Sequence, residues 1–265
     1  MKYTEIQSCY IGPEISPEQF IPEHFFLYLL EGKIEAFDGG KHYTLLPKQA
    51  CLVRKNHLAR YNKQKDSGSF GKVVVIFDEA FLRTFHEKYK PSAPFNGNEA
   101  FLPIKQHVVL HDFVESLQPL YRGEGQIAQE AAEQKREELL GLLLQLHPEY
   151  ASVLFDFGKP GKVNLEAFMQ KHYKFNVRTD RLAFLTGRSL SSFKRDFKAV
   201  FNETPSRWLV NRRLQEARFL LEQKQQKPSD FYLDLGFEDL SHFSFAFKKK
   251  FGLPPTAMPL DKYSI

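Results

Sequence analysis

The sequence predicts an α+β protein of more than one domain, with an N-terminal antiparallel β-barrel, a helical segment after it and an all-α C-terminal domain. Three observations lead to this prediction. Short strand-like runs follow one another between residues 24 and 77, a sixteen-residue pattern occurs twice near the C-terminus, and basic charge is concentrated in the C-terminal part. A chain of 265 residues is long enough for two separate hydrophobic cores.

The duplicated pattern runs from Leu190 to Pro205 and again from Leu240 to Pro255, and seven of its sixteen positions are identical. In each copy a leucine and three phenylalanines recur at i, i+3, i+7 and i+11, which is the spacing of one face of an α-helix. Gly187 and Gly236 precede the two copies, and each follows a short apolar segment. A helix, a glycine-bearing turn and a second helix form a helix-turn-helix, so the sequence predicts two such motifs.

The outer faces of the two pattern helices are mostly short, polar or basic. A helical wheel places each leucine on the inner face with its phenylalanines. The outward residues are Ser191, Arg195 and Lys198 in the first copy and Ser241, Phe245, Lys248 and Lys249 in the second. Arginine and lysine suit guanine edges and phosphates, and serine can hydrogen-bond to base edges or backbone. A solvated basic face would explain either copy alone, but the duplication favours DNA binding.

Residues 205 to 223 are predicted to form one long helix that connects the two motifs. Pro205 suits a helix start, and apolar residues recur at roughly helical spacing as far as Leu221. A helix of this length spans about 28 Å, close to the roughly 34 Å between successive major-groove openings on one face of B-DNA. One chain is therefore expected to place both motifs on the same side of a duplex.

Over about residues 162 to 258 the sequence resembles the AraC/XylS family of transcriptional regulators. The segment from Leu182 to Lys198 is similar to the family pattern LA-x-x-x-G-x-S-x-x-x-F-x-R-x-F-K, and the segment from Gly236 to Pro255 to G-F-x-x-x-S-H-F-x-x-x-F-K-x-x-F-G-x-x-P. The resemblance implies that the second helix of each motif enters a major groove of double-stranded DNA. The predicted DNA-binding residues are Ser191, Ser192, Lys194, Arg195, Lys198, Leu240, Ser241, His242, Phe245, Lys248 and Lys249.

The sequence departs from the family pattern at two positions of the second motif. Tyr232 stands where the family usually has a small alanine, and Phe245 stands where it often has an arginine. A phenylalanine cannot read guanine, but it can contact a thymine methyl group. The alternative is that Phe245 packs against Tyr232 or a neighbouring helix. We therefore expect the first motif to carry most of the base specificity and the second mainly to anchor the protein on DNA.

Charge supports the division into two parts. Residues 160 to 265 carry 19 basic and 11 acidic residues, a net charge of +8, whereas residues 1 to 159 carry 18 and 21, a net charge of −3. A basic excess beside the duplication is expected of a nucleic-acid-binding domain.

Cys9 and Cys51 belong to no zinc-binding pattern, the first residues lack a signal-peptide pattern, and no apolar run is long enough for a membrane span. We expect a soluble, cytoplasmic protein.

Five short runs of β-forming residues make up the N-terminal part, with turn residues such as Glu31-Gly32 and Asp38-Gly39-Gly40 between them. The runs are HFFLYLL, KIEAF, HYTLL, ACLVR and FGKVVVIF, and a further turn is expected at Asp66-Ser67-Gly68. This spacing predicts an antiparallel barrel or sandwich. The resemblance implies more specifically a cupin-like β-barrel that binds an effector.

A cavity in such a barrel would be lined by apolar and aromatic residues from HFFLYLL and HYTLL, which suits a small organic effector. The sequence does not identify individual effector-binding residues, and the alternative is a barrel filled by its own side chains. His24, His42 and His57 are isolated from one another, and no H-x-H pair occurs in this part. Neither a metal nor another cofactor is therefore expected.

Two helical stretches are predicted after the strands, over residues 106 to 121 and 126 to 146. The second stretch carries leucines at i, i+3, i+4 and i+7, which form either part of the domain core or a dimer seam. We favour a homodimer seam, partly because the resembling family often pairs through such helices. The leucines concerned are Leu139, Leu142, Leu143 and Leu146.

The predicted domains are a β-rich regulatory domain (residues 1–104), a helical dimerisation segment (residues 105–156) and a DNA-binding domain (residues 157–265), with a hinge at residues 157–161. The predicted function is sequence-specific regulation of transcription, with dimerisation and small-molecule sensing in the N-terminal domain. A protein partner in place of the small effector is the alternative, and RNA polymerase is a further candidate partner. An enzyme with a DNA-targeting domain is disfavoured because the cysteines are isolated and no nucleophile elbow, P-loop or GxGxxG motif occurs, so no catalytic residues are predicted.

Overall fold

The computed structural model describes residues 7–11, 19–66, 69–88, 95, 97–120 and 127–258. The chain divides into an N-terminal unit, residues 1–158, and a C-terminal unit, residues 159–265. The predicted turn residues Ser67 and Gly68 lie outside the described residues, as do the facing ends of the two predicted helical stretches, between residues 121 and 126.

The N-terminal unit contains ten strands and four α-helices within its described residues. The strands are β1 (Gln7–Ile11), β2 (Phe20–Ile21), β3 (His24–Glu31), β4 (Lys33–Phe37), β5 (His42–Leu45), β6 (Ala50–Val53), β7 (His57–Leu58), β8 (Arg60–Gln64), β9 (Gly71–Phe77) and β10 (Phe101–Ile104). The helices are α1 (Glu79–Phe85), α2 (Val108–Glu115), α3 (Gln129–Leu146) and α4 (Ala151–Leu154). Strands β3, β4, β5, β6 and β9 coincide with the five predicted runs to within one residue at each end.

The strands form separate sheets. A five-stranded sheet has the order β1-β9-β3-β6-β10, a three-stranded sheet has the order β5-β4-β8, and β2 pairs with β7. Strand β3 is antiparallel to both neighbours, so that Phe26 lies opposite Val75 on β9 and opposite Leu52 on β6. Strand β1 is parallel to β9, so the prediction of a purely antiparallel sheet is wrong at this edge.

The five-stranded sheet is buried on both faces, because alternate residues of its central strands point to opposite sides. Phe26 and Val75 share a core with residues of α2 and α3, whereas Leu27 and Val74 share a second core with residues of the three-stranded sheet. The helices predicted as a separate segment over residues 105–156 therefore belong to the same compact unit as the strands.

The leucine stripe of α3 divides between the core and the surface. Leu139 and Leu143 are fully buried in the core that α3 shares with the sheet. These two leucines have no surface left for a second chain, so the prediction that they form a dimer seam is wrong and the core alternative describes them. Leu142 and Leu146 are only partly buried, and they pack against the edge of the same core.

The C-terminal unit is all-α within its described residues. Its helices are α5 (Leu165–His172), α6 (Thr179–Leu185), α7 (Leu190–Phe201), α8 (Pro205–Lys224), α9 (Pro228–Phe231) and α10 (Leu240–Phe251). Helices α6 and α7 form the first helix-turn-helix motif, and α9 and α10 form the second. Helix α8 connects the two motifs and ends one residue beyond the predicted position.

A buried arginine of α8 joins distant parts of the C-terminal unit. The guanidinium of Arg213 donates hydrogen bonds to the carbonyl oxygens of Tyr173 (2.8 Å) and Phe175 (2.7 Å), which follow α5, and of Gly236 (2.8 Å), which precedes α10. Burial lowers the pKa of Arg213 to about 10, so the side chain stays charged at neutral pH. Without these donors, three carbonyl groups would lose their partners inside the fold.

Replacing Arg213 by methionine is expected to lower the free energy of unfolding of the C-terminal unit by about 3 kcal/mol or more, because three carbonyls lose their donor. Trp208 is the only tryptophan of the chain and packs in α8 against the rings of Phe197 and Phe201, so its fluorescence in urea follows this unit within the full-length protein. Arg207→Met is the control, because its side chain is 76% exposed and its loss should change stability by less than about 0.5 kcal/mol. Equal unfolding midpoints for the two variants would contradict the prediction.

Candidate nucleic-acid interface and regulatory cavity

The first motif presents helix α7 through a glycine turn and a serine cap. Gly187 has a φ of +67°, a conformation that a residue with a side chain rarely adopts. Helix α7 begins after Ser189, whose side-chain oxygen accepts a hydrogen bond from the backbone N–H of Ser192 at 3.3 Å. Asn202, which follows the last residue of the helix, is left-handed with a φ of 54°. The sequence therefore determines both ends of the predicted recognition helix.

The inner face of α7 is aromatic. Phe193 and Phe197 are fully buried, and the ring of Trp208 meets Phe197 edge-on with 5.7 Å between centroids. Leu190 is 40% exposed, and so is Leu240 at the same place in the second motif. The prediction that each leucine joins the buried face is wrong, because each is the first residue of its helix and precedes the turn that packs.

The outer face of α7 carries five of the predicted DNA-binding residues. Ser191, Lys194, Arg195 and Lys198 are exposed, and Ser192 is partly exposed. The Arg195 side chain is 78% exposed, and its guanidinium donates to the Ser192 hydroxyl at 3.3 Å and to the Asp196 carboxylate at 3.2 Å. These contacts hold the guanidinium along the exposed face instead of leaving it fully mobile.

A residue pair that the sequence reasoning missed supports this arrangement. The Arg188 side chain is only 7% exposed and donates to Asp196 at 3.1 Å and to the Thr186 carbonyl at 2.7 Å. The hydrogen bond from Arg188 lowers the pKa of Asp196, so this carboxylate stays ionised where it also holds Arg195. No local pattern distinguishes Arg188 from a surface arginine, because two of its partners, Val163 and Asp196, are distant in sequence.

The second motif repeats the design with different caps. Gly236 has a φ of +84°, and a Cβ atom there would lie 2.6 Å from the Lys174 carbonyl oxygen. Helix α10 begins after Asp239, whose carboxylate accepts a hydrogen bond from the backbone N–H of His242 at 2.6 Å. Gly252, which follows the last residue of the helix, has a φ of 80°. Phe243 and Phe247 are fully buried, as are their counterparts in α7.

The outer face of α10 carries the other six predicted DNA-binding residues, and all are exposed: Leu240, Ser241, His242, Phe245, Lys248 and Lys249. Phe245 is 69% exposed, whereas Tyr232 is partly buried against the core of the second motif. The alternative in which Phe245 packs against Tyr232 is therefore wrong. Lys250 has a different role, because its ammonium group donates to the backbone carbonyl and side-chain oxygens of Asn211 on α8, at 2.9 and 3.0 Å.

The charges on the two outer faces are available to a ligand. Within the part of the chain that the structure describes, Lys194, Lys198, Lys248 and Lys249 form no ion pair with an acidic side chain. Lysines without internal partners can neutralise phosphates of a nucleic acid without first breaking a bond within the protein.

The N-terminal unit contains a cavity of about 390 Å³. Its lining combines residues of the two facing sheets, among them Leu27, Ile34, Ala36, Tyr43, Leu45, Cys51 and Phe101, with the polar side chains of Thr44, Gln49, Lys105 and Gln106. This volume and this mixture of many apolar and few polar groups are typical of small-molecule sites. The predicted runs HFFLYLL and HYTLL both contribute residues to the wall.

Two titratable groups of the cavity wall are neutral at physiological pH. Burial raises the pKa of the Cys51 thiol to about 12. Burial and a hydrogen bond of 2.8 Å to Asp38 raise the pKa of Tyr43, whose hydroxyl donates to that carboxylate. The side chain of Cys9 lies outside the described part of the chain.

Of the three strand-region histidines named above, His24 and His57 both contact the backbone of Lys55, and His42 lies elsewhere. His24 is buried and accepts a hydrogen bond on Nδ1 from the backbone N–H of Lys55, His57 has Nδ1 2.8 Å from the Lys55 carbonyl oxygen, and the ring of His42 packs on Phe37. Across the described ranges, no group of three or more His, Cys, Asp or Glu side chains is arranged to hold a metal ion. The helices described here also include none with the length and apolar character that a membrane span requires.

Two family models match the sequence that forms these structures. The ExsA N-terminal regulatory domain matches residues 24–157, which is half of the chain, and a helix-turn-helix domain matches residues 182–258. The chain belongs to the AraC/XylS family. As a member of that family it is a DNA-binding transcriptional regulator with an N-terminal regulatory domain, which confirms the function predicted from the duplicated pattern.

Relatives of this AraC/XylS regulator are transcriptional regulators as well. The HTH-type transcriptional regulator ExsA of Pseudomonas aeruginosa is 26% identical over 263 residues, which cover 95% of this chain and 91% of ExsA. The virulence regulon transcriptional activator VirF of Yersinia enterocolitica is 30% identical over 129 residues, which cover 48% of this chain and 47% of VirF. The crystal structure of apo ToxT from Vibrio cholerae has 14% identity and a TM-score of 0.43, with 90% of this chain and 89% of that chain covered.

Proposed function

We propose that the outer faces of α7 and α10 are the surfaces with which this regulator contacts DNA. The observation that carries the proposal is the equivalence of the two helices, which display exposed polar and basic residues over the same pair of buried phenylalanines. In this proposal Arg195 reads a base edge in the first motif, because an exposed guanidinium can donate two hydrogen bonds to guanine. Lys198, Lys248 and Lys249 contact phosphates, and Ser191, Ser192, Lys194, Leu240, Ser241 and His242 complete the surface.

The length of α8 supports the simultaneous use of both motifs. Its 20 residues span about 30 Å, close to the roughly 34 Å between successive major-groove openings on one side of B-DNA. Polar contacts at both ends of α10 fix it on α8, because Arg213 reaches the turn before α10 and Lys250 reaches back to α8. We propose that the two motifs bind successive major grooves on one face of a promoter.

We further propose that the N-terminal unit is a cupin-like sensor whose cavity binds a small organic effector. The cavity volume and its largely apolar lining support this function. The alternative is a protein partner that acts on the N-terminal unit, with a cavity that stays empty. The two functions differ in one measurable respect, since only the first predicts that the cavity takes up small molecules.

A homodimer formed through α3 is part of the proposal. Because Leu139 and Leu143 are in the core, the contact surface must lie on the remaining face of the helix. A shallow groove on that face is lined by Glu137, Glu138, Gly141, Leu142, Leu144 and Gln145. We propose that this groove, with Leu142 in its wall, is the dimer contact.

RNA polymerase is a further proposed partner, and the cytoplasm is the proposed location. VirF is a transcriptional activator, and an activator must make polymerase more effective at its promoter. The location follows from the requirement that the protein meet promoter DNA.

Selection of binding sites from a random duplex library with the full-length protein is expected to yield two sub-sites about ten base pairs apart. On the selected duplex Arg195→Ala should weaken binding by about 1 to 3 kcal/mol and leave binding to random duplexes nearly unchanged. Lys248→Ala and Lys249→Ala should weaken binding to the selected and the random duplexes more evenly and reduce the salt dependence of binding. An equal loss on both duplexes for Arg195→Ala would make it a phosphate contact, and a selection without any motif would contradict base reading.

A thermal-shift screen of small apolar and amphipathic compounds is expected to identify ligands of the cavity. A compound present at one hundred times its Kd should stabilise the protein by about 2.7 kcal/mol. Ala36→Leu, which adds bulk at the cavity wall, should abolish the response, whereas Ala199→Leu on the exposed face of α7 should leave it intact. A screen without ligands, or a response that survives Ala36→Leu, would favour the protein-partner alternative.

Leu142→Glu is expected to convert a dimeric protein to a monomer in sedimentation experiments, because dimerisation would bury an ionised carboxylate. Gln134→Glu is the matched control, since it adds the same charge at an exposed position of α3 and should leave the dimer intact. A dimer that persists in Leu142→Glu, or a wild-type monomer at micromolar concentrations, would refute the proposed contact.

A further inference from the structure

Phe245 is a large apolar side chain in the middle of a polar surface. Its 69% exposure is the highest among the large exposed apolar residues described. Positions three and four residues away on an α-helix share its face. Those positions hold Ser241 and His242 on one side of Phe245 and Lys248 and Lys249 on the other, and all four are exposed.

The fold does not use this ring. The aromatic contacts along the buried side of α10 link Phe243 to Phe247 and Phe247 to Phe251, with centroid separations of 5.7 and 4.6 Å. Phe243 and Phe247 are fully buried, and they hold the helix on the core. Phe245 lies between them in sequence but points to the other side, so its side chain is not part of the core.

The duplication within the chain identifies the position. Arg195 occupies in α7 the place that Phe245 occupies in α10, six residues after each capping residue and between the same two buried phenylalanines. Both side chains are mostly exposed, at 78% and 69%. The two motifs therefore present different chemistry at one structural position, a hydrogen-bond donor in the first and an apolar ring in the second.

The flanking charges indicate the occupant of this surface. Lys248 and Lys249 lie one turn from Phe245, and neither forms an ion pair within the described residues, so the ring lies beside lysines that suit a polyanion. In the major groove of DNA the base edges present hydrogen-bonding groups and a single apolar group, the C5-methyl of thymine. A phenyl ring is complementary only to that methyl group.

We propose that Phe245 reads a thymine methyl group in the major groove of the second sub-site. The proposal rests on the proposed function, in which α10 enters that groove. In this proposal the second motif recognises only a T·A base pair. Recognition of a base through hydrogen bonds is left to Arg195 in the first motif. The second motif thus contributes sequence specificity beyond anchoring the protein on phosphates.

Deoxyuridine tests the proposal, because it pairs as thymidine does and lacks only the methyl group. Each thymidine of the selected duplex is replaced in turn, and full-length protein is titrated at constant salt. One thymidine in one sub-site is expected to lose about 3- to 10-fold in affinity on replacement, the range expected for one buried methyl group. Phe245→Ala should bind the methylated and unmethylated duplexes equally, whereas Arg195→Ala should bind more weakly but keep the wild-type ratio between them.

Phe245→Arg provides a gain of specificity that a damaged protein could not show. Repeating the site selection with this variant is expected to replace the thymine with a guanine at that position and leave the first sub-site unchanged. Fluorescence of Trp208 verifies that each variant is folded.

The methyl proposal and the proposed function fail in different ways. If wild-type protein selects a two-part motif but tolerates deoxyuridine at every position, the methyl proposal is overturned and the proposed function stands. A ratio between duplexes that persists in Phe245→Ala would also overturn it, because another residue would then be reading the methyl group. A selection without any motif would refute both, since a helix that reads no sequence reads no thymine.

Discussion

The three hydrogen bonds of Arg213 are the constraint on which the DNA-binding unit depends. They join α8 to the segment after α5 and to the turn before α10, and they are the buried polar contacts among these three parts of the chain, whereas the ion pair of Lys174 with Glu216 is only partly buried. The position of Arg213 also requires a glycine at residue 236, because a Cβ atom there would lie 2.9 Å from the Arg213 Cζ atom. Lys250 makes a second polar tether from α10 to Asn211. Since apolar packing has little directional preference and hydrogen bonds have much, these polar contacts fix the angle at which α10 leaves the core.

In both motif helices, the buried phenylalanines hold the fold and the exposed residues on the opposite face are left for recognition. The aromatic ladder of α7 has centroid separations of 5.5 Å from Phe193 to Phe197 and 4.4 Å from Phe197 to Phe201, and the ladder of α10 has nearly the same separations. The same two phenylalanines are buried in each helix, so that equivalent outer positions point away from the core of each motif. Arg195 and Phe245 can then differ in chemistry at no cost to the core, and each motif can suit a different base.

Local patterns predicted what depends on local periodicity. The five strand runs and both motif helices follow from spacing alone, because side chains alternate along a strand and repeat along a helix face. The parallel pairing of β1, the burial of Leu139 and Leu143, and the exposure of Leu190 depend on which surfaces meet in three dimensions. The burial of Arg213 could have been predicted from the sequence. Arg213 lies four residues after Leu209 and four residues before Ala217, so it interrupts an otherwise apolar stripe of the helix. A charge in such a stripe indicates a buried, hydrogen-bonded group. Arg188 gives no such signal.

In the N-terminal unit, only the five-stranded sheet separates the cavity from the core that contains α3. Alternate residues of β3 and β6 face opposite ways, so Leu27 and Cys51 line the cavity while Phe26 and Leu52 pack in the core that contains Leu139 and Leu143. Interiors are closely packed, and a displacement of these strands by a molecule in the cavity must be absorbed by the side chains on their other face. Leu142, in the wall of the groove on α3, packs against the same core. The effector site and the dimer contact proposed above would therefore communicate through the same two strands, and a substitution that stiffens these strands would affect both.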